Sequence, residues 1–111
     1  MNADEIVDLA SGDGRGPVWG AASDDLNATL LAWHAGDGPG EHVNETRDVL
    51  YVVVAGGGTI ELDGAPVDVR APSAVLVTKG KRRRIVAGAD GIRYVTAHLR
   101  RGGLEIARGR T

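Results

Sequence analysis

A histidine and an asparagine follow a glycine-rich stretch near the middle of the chain. His42 and Asn44 come directly after Gly36–Gly40, and a spacing of two places both side chains on one face of an extended segment. An imidazole can ligate a metal or accept a proton near neutral pH, and the Asn44 amide offers both hydrogen-bond donors and an acceptor. The pair therefore indicates a polar binding site at the mouth of the strand that follows.

That strand is apolar and begins beside an acidic residue. Residues 49–55 read VLYVVVA, a continuous run typical of a strand buried on both faces. Because side chains alternate along a strand, Asp48 and Val49 cannot both point inward. If Val49 points inward, Tyr51 and Val53 share its face. The Tyr51 phenol then needs a hydrogen-bond partner, which a ligand or a backbone carbonyl would supply.

Another candidate residue, Arg83, lies in the basic run of residues 79–84. Inside a barrel, the Arg83 guanidinium would need a carboxylate such as Asp48, or a bound anion. The alternative is a solvated basic turn with Arg83 on the outside. Both placements are open on the sequence alone, and we include Arg83 among the candidate ligand-binding residues.

The last long segment alternates polar side chains on one face. Tyr94, Thr96 and His98 share this face, which either lines the barrel or meets solvent. Trp33 and His34 are adjacent, so only one can face inward. We expect Trp33 to be a core or dimer contact and His34 to lie at the surface. The candidate ligand-binding residues are therefore His42, Asn44, Tyr51, Arg83 and His98.

Short strands separated by tight turns are predicted for most of the chain. Asp63-Gly64, between two alternating segments, predicts a two-residue hairpin, and the glycines at 56–58 and 88–91 are expected to end strands. Residues 1–12 allow one short helix, and about nine strands follow at the spacing typical of a sandwich or barrel. The fold class is all-β, with residues 1–16 as an extension and residues 17–108 as a single barrel domain. The predicted strands cover residues 17–20, 26–34, 49–55, 59–62, 66–70, 74–77, 85–87, 92–99 and 104–106.

Composition narrows the class of protein. The 111 residues contain no cysteine, which excludes a disulfide framework and thiol chemistry. The first residues are acidic and the longest apolar run is too short to cross a bilayer, so we expect a cytoplasmic protein that does not contact membranes. Residues 1–70 carry 13 acidic and 3 basic side chains, and residues 71–111 carry 2 and 10. We interpret this as mutual compensation and not as a nucleic-acid surface, since no recognition helix or aromatic platform accompanies the basic residues.

These features resemble the cupins, which are small double-stranded β-helix (jelly-roll) barrels. Their first motif usually has a glycine-rich loop, H-x-H, a Glu and, after six intervening residues, a Gly. Here His42 lies at the first His and Gly56 at the final Gly. The second motif of the family usually resembles GDVVFIPAGTPHRV. In this chain residues 72–85 occupy the corresponding place. The resemblance covers residues 26–99 and implies a cupin barrel.

The resemblance also implies that the usual metal ligands are largely replaced. In cupins two His, a Glu and a later His converge on a divalent metal. In this chain the second His position is Asn44, the Glu position is Val49 and the last His position is Arg83. One imidazole does not hold a transition metal, because such sites use three or more donors.

Three functional hypotheses from different classes follow. The first is a cupin barrel that binds a small organic ligand, including an anionic one, without a tightly bound metal. The second is a metal-dependent dioxygenase, isomerase or decarboxylase, with Fe, Mn, Ni, Zn or Cu held by His42 and Asp48, and with His34 or His98 as further ligands. The third is metal-free acid–base catalysis of the epimerase or cyclase type, with His42 as base and Tyr51 as acid. The strand at residues 49–55 is apolar on both faces, which also predicts a homodimer that pairs through the sheet containing this strand.

Overall fold

Seven antiparallel strands and no helix make up residues 6–100, the part of the chain that the computed structural model describes. The all-β prediction is confirmed. Residues 6–12 are not helical, and residues 1–5 of the predicted helix lie outside the described part. No described segment is a helix that could span a membrane. The strands are β1 Gly16–Ala22, β2 Leu26–Trp33, β3 His42–Val43, β4 Val49–Leu62, β5 Ala65–Arg70, β6 Ser73–Val77 and β7 Arg82–Leu99.

Two long strands, β4 and β7, connect all the others. Residues 49–56 of β4 pair with residues 92–97 of β7; β6 extends this first sheet beyond β4, and β2 and then β1 extend it beyond β7. Residues 58–62 of β4 pair with residues 83–87 of β7 in a second sheet, edged by β5 and β3. The same two strands therefore run through both sheets, and the interior of the barrel lies between them.

The prediction that glycines end strands at 56–58 and 88–91 is wrong. Both β4 and β7 continue through these positions, with register shifts that bend the pair. Gly56 and Gly91 have φ values of 66° and 77°, and a Cβ atom at Gly56 would overlap the Gly91 carbonyl oxygen. Glycine here allows two backbones to cross closely while the strands change sheets. Four predicted strands thus merge into two, and the predicted strand at 104–106 lies outside the described residues.

The predicted hairpin at Asp63-Gly64 is confirmed. Leu62 and Ala65 are paired at the ends of β4 and β5, and the two residues between them have φ values of 51° and 85°. Positive φ at both central residues is what a type I′ turn requires. The Asp63 carboxylate also accepts a hydrogen bond of 2.9 Å from the Arg82 backbone N–H, which ties the hairpin to β7.

The core is built on the alternation of β4. Val49, Tyr51 and Val53 are buried and point between the sheets, where they meet residues such as Ile85. On the other face of β4, Leu50 is 39% exposed. The expectation that this strand is buried on both faces is therefore wrong for the single chain, which buries only the inward face.

Several ion pairs join the acidic first part of the chain to the basic last part. Arg84 lies 3.2 Å from Glu61 across the β4–β7 pairing. Arg82 lies 3.8 Å from both Glu41 and Asp63. Part of the charge asymmetry is therefore compensated within the chain. The division into an extension of residues 1–16 and a domain of residues 17–108 stays a prediction.

Candidate ligand-binding cavity

A cavity of about 290 Å³ lies between the two sheets. All five candidate ligand-binding residues, from His42 to His98, line it. The structure therefore brings together side chains that are far apart in the sequence; that they bind a ligand stays a prediction. The other lining residues are Thr29, Leu31, Pro39, Val49, Tyr94 and Thr96.

Strand register arranges the first-sheet wall of the cavity in rows. Thr29 on β2 is paired with Thr96 on β7, which is paired on its other side with Tyr51 on β4. One row deeper along the strands, Leu31 is paired with Tyr94. Because alternate residues of a strand face the same side, polar and apolar rows succeed each other on one wall. The face formed by residues 94, 96 and 98, which the sequence left open, lines the barrel.

Arg83 is buried, with 1% of its surface exposed, so the alternative of a solvated basic turn is wrong. Pairing of β3 with the start of β7 sets Arg83 opposite His42 and holds the side chain inside. Its Nε and Nη2 atoms donate to the Lys81 carbonyl oxygen at 3.2 and 2.8 Å, and Nη2 also reaches the Thr78 carbonyl at 3.4 Å. Nη1 has no hydrogen-bond partner, and no described carboxylate pairs with this guanidinium.

Asp48, directly before β4, and Val49, its first residue, differ in burial. Val49 is buried and lines the cavity. Asp48 is exposed, and its Oδ1 accepts a hydrogen bond of 2.9 Å from the Lys79 backbone N–H. Asp48 therefore fixes the turn before β7 and is neither a partner of Arg83 nor placed with His42 as a metal ligand.

The polar residues at the rim keep part of their hydrogen-bonding capacity free. The Asn44 Oδ1 atom accepts from the backbone N–H groups of Thr46 and Arg47, at 3.1 and 2.9 Å, so its NH₂ group is left for the cavity. The Nδ1 atom of His42 lies 3.4 Å from the Gly40 carbonyl oxygen. A carbonyl only accepts, so this contact is a hydrogen bond only in the tautomer with the proton on Nδ1, which leaves Nε2 as an acceptor.

Two tyrosines form the aromatic part of the wall. The rings of Tyr51 and Tyr94 are 5.8 Å apart between centroids, and the Trp33 Nε1–H donates to the Tyr94 hydroxyl at 3.0 Å. Burial raises the pKa of Tyr94 to about 12, although the bond from Trp33 lowers it and the nearby Tyr51 raises it slightly. Trp33 is half-buried against the core and His34 is exposed, as predicted. The Tyr51 hydroxyl has no hydrogen-bond partner within residues 6–100.

The charges of the lining do not fit a divalent metal. None of the described lining residues is acidic, two are histidines and Arg83 carries a permanent positive charge. No group of three or more His, Asp or Glu side chains within residues 6–100 is placed to hold a metal ion. A transition metal needs several N or O donors and no adjoining cation. The donor set that the resemblance implies is therefore not assembled by this part of the chain.

Sequence reasoning missed the contribution of β2 to the cavity. Thr29 and Leu31 line it, and both belong to the alternating face that begins at Asn27. The signal was the same period of two that identified His42 and Asn44. What the sequence lacked was a reason to prefer this face of β2 over the other.

Solved structures with the same architecture identify the fold. A cupin protein from Bacteroides fragilis superimposes with a TM-score of 0.71 at 20% identity, covering 93% of this chain and 89% of that one. KdgF from Halomonas sp. gives 0.68 at 21% identity, with 77% of each chain covered. A conserved protein with a double-stranded β-helix domain from Klebsiella pneumoniae gives 0.70 at 14% identity, covering 82% and 83%.

These likenesses define the class of protein. The chain has the cupin fold, a double-stranded β-helix barrel. Within that fold it is a small cupin-type protein, and Arg83 lines its cavity. No family model matches the sequence, and no curated protein matches it significantly. Because one fold serves many activities, function has to be argued from the cavity.

Proposed function

We propose that this cupin-fold protein binds a small organic anion in its barrel cavity, without a tightly bound metal. The observation that carries the proposal is the buried guanidinium of Arg83, which meets two backbone carbonyls and no described carboxylate. Burying a charge without a counter-charge is costly. A ligand carboxylate or phosphate would offset that cost, since either group can accept a charge-assisted hydrogen bond from the unpartnered Nη1 atom.

The rest of the lining supports an anion as well. The chain carries 15 acidic residues, yet no described residue that lines the cavity is acidic. His42 and His98 also line the cavity, and each ring carries an N–H that can donate a hydrogen bond. The Asn44 NH₂ group adds a neutral donor at the rim. The cavity therefore presents donors and positive charge to whatever enters it.

The test compares acids with their uncharged amides. Alkanoates and hydroxyalkanoates of two to six carbons, and phosphate monoesters, are titrated by calorimetry against the amide or alcohol of the same shape. We expect at least one anion to bind about tenfold or more tighter than its neutral counterpart, and Arg83→Met to abolish the difference. The matched control is Arg82→Met. Arg82 directly precedes Arg83, its side chain is 53% exposed, and the variant should bind the anion as the wild type does. Equal binding of every acid and amide would contradict the proposal.

A second measurement addresses the metal-dependent alternative. Elemental mass spectrometry of untagged protein should find well below one equivalent of Fe, Mn, Ni, Zn or Cu, both in the wild type and in His42→Ala. Near one equivalent in the wild type, lost in His42→Ala, would support the metal-dependent dioxygenase, isomerase or decarboxylase instead.

Acid–base catalysis remains the second candidate function because the cavity contains suitable groups. His42 and Tyr51, whose hydroxyl has no hydrogen-bond partner within residues 6–100, line the same cavity, as an epimerase or cyclase without metal would need. The discriminating experiment follows exchange of the proton beside the carboxylate of a bound acid in D₂O by NMR. Exchange that is lost in His42→Gln and Tyr51→Phe, while binding persists, would establish catalysis. If the wild type shows no exchange, the acid–base candidate is contradicted and ligand binding is the only function supported.

We also propose that a second copy of the chain covers the outer face of the first sheet. Leu50 and Leu76 are cross-strand neighbours on this face and are 39% and 58% exposed, and Ala97 lies on the other side of Leu50. A two-fold pairing would bury this apolar row against itself. Sedimentation velocity should show a dimer that Leu76→Glu dissociates, while Val67→Glu on β5 leaves it intact. A monomeric wild type would contradict the pairing.

A further inference from the structure

The proposed function leaves the chemical class of the anion open, and the wall opposite Arg83 narrows it. We propose that the ligand is a small hydroxycarboxylate: its carboxylate binds Arg83, and its hydroxyl groups bind a row of protein hydroxyls on the first sheet. This inference rests on the proposed function and deepens it.

The row consists of Thr29, Thr96 and Tyr51, on three neighbouring strands. Each residue is directly paired with the next, Thr29 with Thr96 and Thr96 with Tyr51, so the three side chains stand side by side. All three line the cavity. We call this set the hydroxyl row. Each hydroxyl in the row can donate one hydrogen bond and also accept one.

None of these hydroxyls is satisfied by the described part of the protein. Within residues 6–100, no hydrogen bond joins Thr29, Thr96 or Tyr51 through its side chain to another residue, whereas the neighbouring Tyr94 hydroxyl is bonded to Trp33. Tyr51 is 3% exposed, so its phenol opens only toward the cavity. None of the three oxygen atoms is among the buried atoms without a partner, so each is open to the cavity and can bond to water there. A ligand that displaces this water must replace its hydrogen bonds, which a ligand with several hydroxyl groups would do.

Arg83 and the hydroxyl row lie on different sheets. Arg83 is in the first half of β7, which belongs to the second sheet, and the row crosses the first sheet. A ligand between them would contact the guanidinium at one end and the row along its chain. At about 30 Å³ for each water-sized group, a cavity of about 290 Å³ holds roughly ten non-hydrogen atoms. That is the size of an acid with four to six carbons.

The main competing ligand is an unsubstituted alkanoate. Leu31, Pro39 and Val49 would contact an alkyl chain well, but an alkyl chain would leave the hydroxyl row unpaired and without water. An unsatisfied buried hydroxyl is costly, and sites built to hydrogen-bond a hydroxyl discriminate strongly against analogues that lack it. The row therefore favours the hydroxylated acid.

Three matched series of probes test the inference on the full-length protein. The first contains aldonates of four to six carbons in several stereochemistries, the second the alkanoates of the same length, and the third the alditols, which keep the hydroxyl groups but lack the carboxylate. Calorimetry, with the emission of the two tryptophans, Trp19 and Trp33, as a second signal, gives the dissociation constants. We expect the best aldonate to bind about tenfold or more tighter than its alkanoate and its alditol.

Single-residue variants assign the effect to the hydroxyl row. Thr96→Val and Tyr51→Phe each remove one hydroxyl with little change of shape, and should weaken the aldonate about five- to tenfold without weakening the alkanoate. Thr59→Val is the control. Thr59 lies in the part of β4 that belongs to the second sheet, and it does not line the cavity. Circular dichroism and the thermal midpoint of each variant show that the fold is retained.

The outcomes separate this inference from the proposed function. If alkanoates bind as tightly as all aldonates, and Arg83→Met abolishes both, anion binding holds and the hydroxycarboxylate is overturned. If Thr96→Val and Tyr51→Phe bind the aldonate as the wild type does, the hydroxyl row is overturned as the recognition element. If no anion of any series binds better than its neutral counterpart, the proposed function fails and this inference fails with it.

Discussion

The indole Nε1–H of Trp33 donates a hydrogen bond of 3.0 Å to the hydroxyl of Tyr94, a residue 61 positions away in the sequence. Tyr94 lines the cavity, whereas Trp33 lies at the end of β2 with the guanidinium of Arg15 5.5 Å from its ring centroid. The bond thus connects the cavity wall to the end of β2. Tyr51, whose ring is tilted against that of Tyr94, has no such bond within the described residues.

This difference between two buried tyrosines predicts different costs for the same substitution. Tyr94→Phe removes the acceptor of Trp33 and should lower the free energy of unfolding by about 1 to 2 kcal/mol. Tyr51→Phe removes a hydroxyl that bonds to no described residue and should change it by less than about 0.5 kcal/mol. Urea unfolding followed by circular dichroism measures both. Equal costs would show that the Trp33–Tyr94 bond contributes nothing to stability.

The raised pKa of Tyr94 predicts a loss of stability at alkaline pH. Burial favours the neutral phenol, so the pKa is about 12 in the folded chain and about 10 in the unfolded one. The folded state therefore holds its proton longer, and the resulting stability is fully present below pH 10 and is lost as the pH rises toward 12. At pH 11 the loss should be about 1 kcal/mol.

The measurement is urea unfolding at pH 9 and pH 11 for the wild type and Tyr94→Phe. Other groups also titrate in this range, so the quantity compared is the difference in pH dependence between the two proteins. The wild type should lose about 1 kcal/mol more than Tyr94→Phe between the two pH values. An identical pH dependence would contradict a raised pKa of Tyr94.

Local rules alone are enough to predict much of the cavity. The period of two places Tyr51 with Val49, and Tyr94 with Thr96 and His98, whichever way the strands are arranged. Two positive φ values are predictable from Asp63-Gly64 in the same way. These conclusions need only the chain's own periodicity and turn chemistry.

Other features depend on contacts between distant segments, which the sequence does not specify. A basic run resembles a solvated turn, and only the pairing of His42 with Arg83 places that guanidinium inside. Likewise, Gly56 resembles a strand end, and only its close approach to Gly91 shows that both strands continue. The choice between Asp48 and Val49 as the inward residue depends on how β4 packs in the barrel, where Val49 is buried and paired with Val77, which is again a contact between distant segments.

Arg83 predicts a conflict between binding and stability. Arg83→Met replaces a buried charge that lacks a described counter-charge with an apolar chain of similar length, a change that is often neutral or stabilising. It also removes the donors to the Thr78 and Lys81 carbonyls, which offsets part of the gain. We expect the free energy of unfolding to stay within about 1 kcal/mol of the wild type or to rise, while anion binding is lost.

Arg83→Lys provides the complementary test. It keeps the positive charge but not the planar fork, so it should bind the best anion more weakly than the wild type and more tightly than Arg83→Met. Thermal unfolding with and without the anion measures stability and binding together. A large loss of stability in Arg83→Met without ligand would show that Arg83 is chiefly a structural residue.

Alanine substitutions at two glycines separate the steric cost of a Cβ atom at the bend in β4 from the cost of a positive φ. Gly56 and Gly80 both have positive φ, 66° and 86°, so alanine is strained at either position, by about 1 kcal/mol. At Gly80 nothing lies within 4 Å of an added Cβ, whereas at Gly56 the Cβ would overlap the Gly91 carbonyl. Gly56→Ala should therefore cost at least about 2 kcal/mol more than Gly80→Ala. Urea unfolding of the two variants gives the difference directly.

The same pair of variants tests whether the bend positions the cavity. Because the bend carries Arg83 over the first sheet, Gly56→Ala should also weaken anion binding under conditions in which it is still folded, and Gly80→Ala should not. Calorimetry with the best anion, at a temperature well below the unfolding transition of both variants, measures this. Equal destabilisation of the two variants would mean that the backbones can move apart at the crossing, and that the bend does not fix the cavity.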